Sequence, residues 1–245
     1  MAKTLQQAMI LAAGLGTRMH PLTDDKPKAL VQVAGKTLID HAIDRLRQVG
    51  VTTIVVNLHY HADKLETHLM ARRDVTIILS DERGQILDSG GGLAKALPHF
   101  SGKAFFTHNC DSLWLEQGTG NLAKMIDLWD DDAMDGLMLV VPTGQAVGYQ
   151  GSGDFNMDRA GLLRRSSKAA GPADYVWTGV QIIHPRLFEG RPEGPFSTNV
   201  LWDKAIRTKR LFGAGLTGRW MHVGTPEAIV EAEALIADAE TGTLT

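Results

Sequence analysis

The exchange of short apolar runs for amphipathic ones along the first half of the chain limits its fold more than any other feature. Ala8–Ala13 is an apolar run that stops at Gly14 and reads as a buried strand. Leu38–Val49 places apolar residues at 38, 39, 42, 43, 46 and 49, a helical period closed by Gly50. The β-branched segment Thr53–Val56 predicts a second strand. The pattern continues with a helix from Ala62 to Arg72, strands at Val75–Leu79 and Ala104–Thr107, a helix over Asn121–Trp129 and a strand at Leu137–Val141. Such alternation predicts an α/β fold, a three-layer, mixed but mostly parallel sheet with helices on both faces. Ligands of such sheets bind beyond the carboxyl ends of the strands. The Gly14 loop and Asp111 both follow strand ends, which points to one shared site.

After Pro142 the pattern changes. Glycines at 148, 151, 153, 161, 171 and 179 punctuate short extended pieces. This half is expected to hold more antiparallel strands, such as Val176–Ile183, and to end in a helix over Pro226–Ala239 opened by its proline. No repeat or low-complexity linker separates the halves, so one integrated domain over residues 1–245 is expected, with halves of about 8–142 and 143–245.

A net charge of −3 lacks the basic excess of a nucleic-acid binder, so any phosphate must be held by a few local cations. The single cysteine, Cys110, allows no intrachain disulfide and fits a reducing compartment. Met1–Gln7 lacks the pattern of a signal peptide, and no apolar run reaches the ~18–20 residues of a membrane span. A cytoplasmic location with neither nucleic acid nor membrane as partner is expected. The sequence carries no signal for the oligomeric state.

The segment Leu11–Leu30 (LAAGLGTRMHPLTDDKPKAL) holds the densest information. Gly14 and Gly16 remove side chains where a backbone must approach a ligand or take positive φ. Amides in such a loop can cradle phosphates. Arg18 adds a planar fork and Lys28 a mobile point charge, a pair suited to a triphosphate. Two commoner nucleotide motifs are excluded. A dinucleotide fingerprint needs glycine where Met19 stands, and a P-loop ending at Gly35-Lys36-Thr37 needs glycine where Leu30 stands. The competing reading is an ordinary glycine turn before a charged surface loop.

This segment resembles the signature L-A-A-G-x-G-T-R-(L/M)-x-P-L-T followed by P-K-x-L of the bacterial sugar-1-phosphate nucleotidyltransferase family. The match runs through Leu11, Ala12, Ala13, Gly14, Gly16, Thr17, Arg18, Met19, Pro21, Leu22, Thr23, Pro27, Lys28 and Leu30. Gly35–Ile39 is similar to the family's G-K-P-L-I. Leu87–Leu93 is similar to L-x-T-A-G-G-(L/I), with Ser89 for Thr and Gly90 for Ala. Asn109-Cys110-Asp111 is similar to N-G-D. The resemblance implies a Rossmann-like core of the nucleotide-diphospho-sugar transferase type. It implies a nucleoside triphosphate and a sugar 1-phosphate as substrates, joined with release of pyrophosphate. On this reading the nucleotide rests on Leu11, Ala12, Ala13, Gly14, Gly16, Thr17, Arg18 and Asn109, with Ser89 and Gly90 at its base and ribose. Arg18, Lys28 and Asp111 are the catalytic candidates.

Asp111 stands where the family holds Mg²⁺; a turn-forming or helix-capping Asp is the alternative. The family's second metal carboxylate precedes V-G-T-P, and here His222 takes that place before Val223-Gly224-Thr225-Pro226. The resemblance implies Mg²⁺, and since imidazole suits softer ions, Mn²⁺ is the alternative. His222 could instead contact a phosphate or nothing. For the sugar, the candidates are Gly148, Gly153, Asp154, Tyr175, Thr178, Gly179 and Asn199. The family's Glu-Lys pair before the sugar strand has no counterpart in Arg164-Arg165-Ser166-Ser167-Lys168. Asp130-Asp131-Asp132 with Asp135 reads as a solvated turn rather than a metal cluster. Trp177, Trp202 and Trp220 read as core or pocket wall.

Within the family, Leu87–Leu93 and Phe196–Ile206 look most like members that use UTP and N-acetylmuramate 1-phosphate in cell-wall recycling, and next like those that use GTP and mannose 1-phosphate. A non-catalytic nucleotide-sugar sensor is the rival from another class. His222 favours it, and Arg18, Lys28 and Asp111 count against it.

Overall fold

A computed structural model describes residues 4–166 and 171–242. Met1–Lys3, and Ser167 and Lys168 of the stretch just quoted, lie outside them. The parallel centre of the main sheet is built from β1 (Gln7–Leu11), β4 (Thr53–Leu58), β5 (Thr76–Asp81) and β6 (Phe105–Asn109), in the order β6-β1-β4-β5. β1 lies between β4 and β6, with Ile10 opposite Val56 on one side and His108 on the other. The alternating segments thus form the predicted sheet, and β1 ends at the glycine loop. The short hairpin of β2 (Gln32–Val33) and β3 (Lys36–Thr37) follows that loop.

The helices cover both faces. α1 (Leu38–Gln48), α2 (Ala62–Met70) and α4 (Asn121–Leu128) bury Ile43, Leu65 and Met125 with Ile54 and Phe106 on one face. α3 (Asp88–Ala96) and α5 (Asn199–Arg207) bury Leu93 and Trp202 with Met9 and Phe105 on the other. α1 begins where Thr37 accepts a hydrogen bond from the Asp40 amide as its N-cap.

The second half is antiparallel where it meets the first. β11 (Tyr175–Ile183) pairs with β6 and with β8 (Gly136–Pro142), and its near end pairs with β9 (Phe155–Met157), which carries β10 (Leu163–Arg165). β12 (Leu211–Gly215) adds to β8 in parallel. A separate ribbon joins β7 (Ser112–Glu116) to β13 (Gly218–His222), placing His222 opposite Ser112. α6 (Pro226–Glu240) closes the described chain and packs Ile229 and Ala232 on this ribbon and on Met19.

One expectation is corrected here. Asp135 is buried rather than solvated, and its carboxylate accepts from Arg186 and Arg210, each at 2.9 Å. A carboxylate excluded from water must be paired, and these two guanidinium groups supply the partners.

Candidate active site

β1, β6 and α3 converge on a cleft of about 340 Å³ beyond the strand ends. Its wall holds Leu11, Ala12, Ala13, Gly14, Gly16, Thr17 and Arg18 from the loop, Lys28, Ser89, Asn109 and Asp111. These sequence candidates therefore come together. Gly16 has φ +66, and a Cβ there would press on Thr23 and on the Cβ of Lys28 at 3.1 and 3.2 Å. Glycine lets the loop fold back so that Arg18 and Lys28 face one space. The Thr23 hydroxyl donates to the Gly16 carbonyl at 2.9 Å and holds that turn.

The charged centre lies at the β6–β7 corner. Lys28 Nζ donates to Asp111 Oδ2 at 2.5 Å, and His222 Nε2 lies 3.4 Å from the same oxygen. Burial works to raise the Asp111 carboxyl, but Lys28 and His222 outweigh it and hold the group well below the usual carboxylate range. Asp111 is thus an anion throughout neutral pH. His222 is fixed by its backbone: its amide donates to Val147 O, and the next amide, Val223, donates to Asp111 O, each at 3.0 Å. Its ring stacks near that of Trp220 at 6.0 Å and an interplanar angle of 8°. A Cβ at Gly224 would lie 2.8 Å from the imidazole and displace the ring from its place beside Asp111. Cys110, between Asn109 and Asp111, is buried, and burial pushes its thiol up to about 12. It is no nucleophile.

The charged residues fit a divalent ion by donor chemistry. Among the described residues no three His, Cys, Asp or Glu side chains gather to hold a metal. Asp111 and His222 offer one ionised oxygen and one nitrogen around a shared point, each partly open to solvent. A hard cation commonly takes one or two protein ligands and completes its shell with water and substrate phosphate.

Two residues that the sequence reading passed over line the same cleft. Asn57 Oδ1 accepts from the Ala12 amide at 2.7 Å, and its Nδ2 donates to Glu82 at 2.8 Å. The other Glu82 oxygen accepts from the Leu87 amide at 3.1 Å. This buried chain ties the glycine loop to the start of α3. Their position at the ends of β4 and β5, beside the ends of β1 and β6, was the available signal.

The remaining candidates divide. Ser89 stays at the cleft and bonds to Thr198, oxygen to oxygen at 3.1 Å. Gly90 is buried, and its amide donates to Phe196 O at 2.8 Å. Thr178 is buried and donates inward to Leu139 O at 2.9 Å. Gly148 lies with His222, Thr225 and Arg18 on a second cleft of about 530 Å³, and a Cβ there would meet His222 O at 2.7 Å. Gly179, at φ +86, packs flat on Asn109. Gly153 packs on Ala173 O, and Asp154 accepts from the Trp177 amide at 2.9 Å. Tyr175 and Asn199, the first residues of β11 and α5, line neither of these two clefts.

This fold and cleft are those of a nucleotide-handling transferase, and residues 8–191 match the MobA-like NTP transferase domain, so the chain belongs to that family. It is 43% identical over 244 residues to the N-acetylmuramate alpha-1-phosphate uridylyltransferase of Caulobacter vibrioides, covering 98% of this chain and 100% of that one. It is 34% identical to the protein of the same description from Neisseria meningitidis serogroup B, covering 94% and 97%. A solved UDP-glucose pyrophosphorylase complexed with UDP-glucose superposes with TM-score 0.79 at 16% identity, covering 96% of this chain and all of that one, a likeness of fold. The chain is an enzyme of the sugar-1-phosphate nucleotidyltransferase class.

Proposed function

We propose that this enzyme transfers the uridylyl group of UTP to N-acetylmuramate 1-phosphate, giving the UDP-sugar and pyrophosphate. The reading is carried by one observation: Arg18, Lys28, Asp111 and His222 meet at the end of a glycine loop, in a chain matched along nearly its whole length by two uridylyltransferases of that sugar phosphate. Peptidoglycan recycling in the cytoplasm is the corresponding setting. It agrees with one buried thiol and with the lack of a described helix long and apolar enough to cross a membrane. The halves 8–142 and 143–245 act as one domain on this reading, which the pairing of β8 with β11 and β12 supports.

In the reaction, a phosphate oxygen of the sugar 1-phosphate attacks the α-phosphorus of UTP in line. The new P–O bond forms as the bond to the bridging oxygen of pyrophosphate breaks. The attacking oxygen is already anionic, so no general base is required, and catalysis rests on positioning and charge. Arg18 neutralises charge on the departing phosphates. Lys28, directed by its contact with Asp111, holds the phosphate oxygens at the reacting centre. The loop from Leu11 to Thr17 and the start of α3 at Ser89 orient the nucleoside, braced by Asn57 and Glu82. Asp111 and His222 would hold a divalent ion, Mg²⁺ or Mn²⁺, which supplies charge neutralisation on the phosphates.

The test is pyrophosphate release from UTP and N-acetylmuramate 1-phosphate with Mg²⁺. Asp111→Asn should lose most of the activity, because a neutral amide is a poor ligand for a hard ion. Full activity in that variant would remove Asp111 from the mechanism. No release by the unaltered protein would favour the sensor reading.

A further inference from the structure

On the sugar side, β10 ends in Arg165, a cation that the mechanism leaves unused. Its guanidinium lies over the rings of Phe155 at 4.8 Å and Trp202 at 5.6 Å, a cation–π arrangement. Nε donates to Asp203 at 3.1 Å and Nη2 to Asn199 Oδ1 at 2.5 Å. Nη1 has no partner among the described residues, and the side chain is 35% exposed. Two hydrogen bonds and two ring contacts therefore restrain the group while the side chain stays partly exposed.

Its surroundings connect it to the cleft. Asn199 donates to Ser197 Oγ at 3.1 Å, and the next amide, Thr198, donates to Ser89 Oγ, also at 3.1 Å. Ser89 lines the nucleotide cleft. Below Arg165, Trp202 packs edge to face on Trp177 at 4.6 Å, and Trp177 precedes Thr178 and the Gly179 that rests on Asn109. Asp154 joins the group through the Trp177 amide. Burial raises its carboxyl, and the Trp177 amide and Arg165 partly oppose this. A restrained guanidinium over the rings of Phe155 and Trp202, beside small hydroxyls, suits a sugar bearing an acid. Arginine in that setting binds carboxylate with paired, charge-assisted hydrogen bonds.

We propose that Arg165 is a specificity residue that binds a carboxylate carried by the sugar, distinguishing an acidic sugar 1-phosphate from its neutral parent. The inference rests on the substrate reading above. N-acetylmuramate differs from N-acetylglucosamine by a lactyl ether ending in a carboxylate, so this pair of sugars isolates the contact. The ring contacts and the two existing bonds leave Arg165 little entropy to lose on binding.

The experiment compares the 1-phosphates of N-acetylmuramate and N-acetylglucosamine, each with UTP, in the unaltered enzyme and in Arg165→Gln and Arg165→Lys. Loss of a charged hydrogen-bonded contact is expected to raise KM for N-acetylmuramate 1-phosphate about 10- to 100-fold in Arg165→Gln. kcat should change little, and KM for the neutral sugar should stay within about twofold, since its binding does not use the guanidinium. Arg165→Lys should recover part of the selectivity. Calorimetric binding of UDP-N-acetylmuramate and UDP-N-acetylglucosamine gives the same comparison without turnover and should show the same selective loss. Equal weakening toward both sugars means that Arg165 serves the fold, and unchanged selectivity means that the acid is read elsewhere; either result overturns the proposal. If the unaltered enzyme neither turns over nor binds the muramyl compounds, the substrate reading falls and this inference with it.

Discussion

His108 places a neutral imidazole in the middle of the sheet, and its cost is measurable. It sits on β6, opposite Ile10 and Val180, and is fully buried. Its Nδ1 bonds to Asn109 O at 2.8 Å, while Nε2 has no partner among the described residues. Burial lowers its pKa to about 4, with the Asn109 carbonyl and Asp111 opposing that shift. The unfolded chain binds this proton near pH 6.5, so between about 6.5 and 4 the unfolded state holds more protons than the folded one. Stability must therefore fall as pH drops through that window, and be complete above it. A difference of about 2.5 units amounts to roughly 3 kcal/mol, of which about 2.5 kcal/mol is lost by pH 4.5. Urea unfolding at pH 7.5 and 4.5 measures it. His108→Gln keeps an amide donor for Asn109 O and removes the titration. The variant should be less stable at pH 7.5 but lose about 2.5 kcal/mol less on acidification than the unaltered protein. The other titrating groups are common to both. Equal losses would refute a neutral, buried His108.

Three further outcomes follow from the site. Arg18→Ala should lower kcat about 10²- to 10³-fold with an unchanged circular dichroism spectrum, as expected for a group that stabilises developing charge. His222→Ala should raise the metal concentration needed for half-maximal rate, and His222→Asp should shift preference from Mn²⁺ toward Mg²⁺; an unchanged metal titration in both would show that His222 is not a ligand. Gly90→Ala places a Cβ 2.4 Å from the Phe196 ring and 2.8 Å from its carbonyl oxygen, so thermal unfolding should show a loss of about 1–3 kcal/mol.

Apolar patterning made the parallel half legible because its helices carry one apolar face and its central strands, buried on both faces, are continuous apolar runs. β1, α1, β4 and α2 lie where their patterns put them. α3 was not legible as a helix, since three successive glycines weaken local propensity. The structure gives the reason for them: Cβ atoms at Gly90, Gly91 and Gly92 would strike Phe196, Gly194 O and Glu82. Phe196 and Gly194 are remote in sequence and leave no local trace. The same applies to Asp135, whose burial depends on arginines 51 and 75 residues away. In the site, Arg18, Lys28 and Asp111 were readable because the glycine loop and the strand end mark them. Asn57 and Glu82 act through a hydrogen-bonded chain that no spacing encodes. On the sugar side, Thr178 shows the limit most clearly. A bulge in β11 between Trp177 and Gln181 shifts the register there, and the Thr178 hydroxyl turns to Leu139 instead of the cleft.

The central claim is tested most directly by crossing UTP, GTP, CTP and ATP with the 1-phosphates of N-acetylmuramate, N-acetylglucosamine, mannose and glucose, measuring pyrophosphate with metal present. The account predicts the highest kcat/KM for UTP with N-acetylmuramate 1-phosphate, with the UDP-sugar as product by mass. A preference for GTP with mannose 1-phosphate, or no pyrophosphate from any pair, would contradict it.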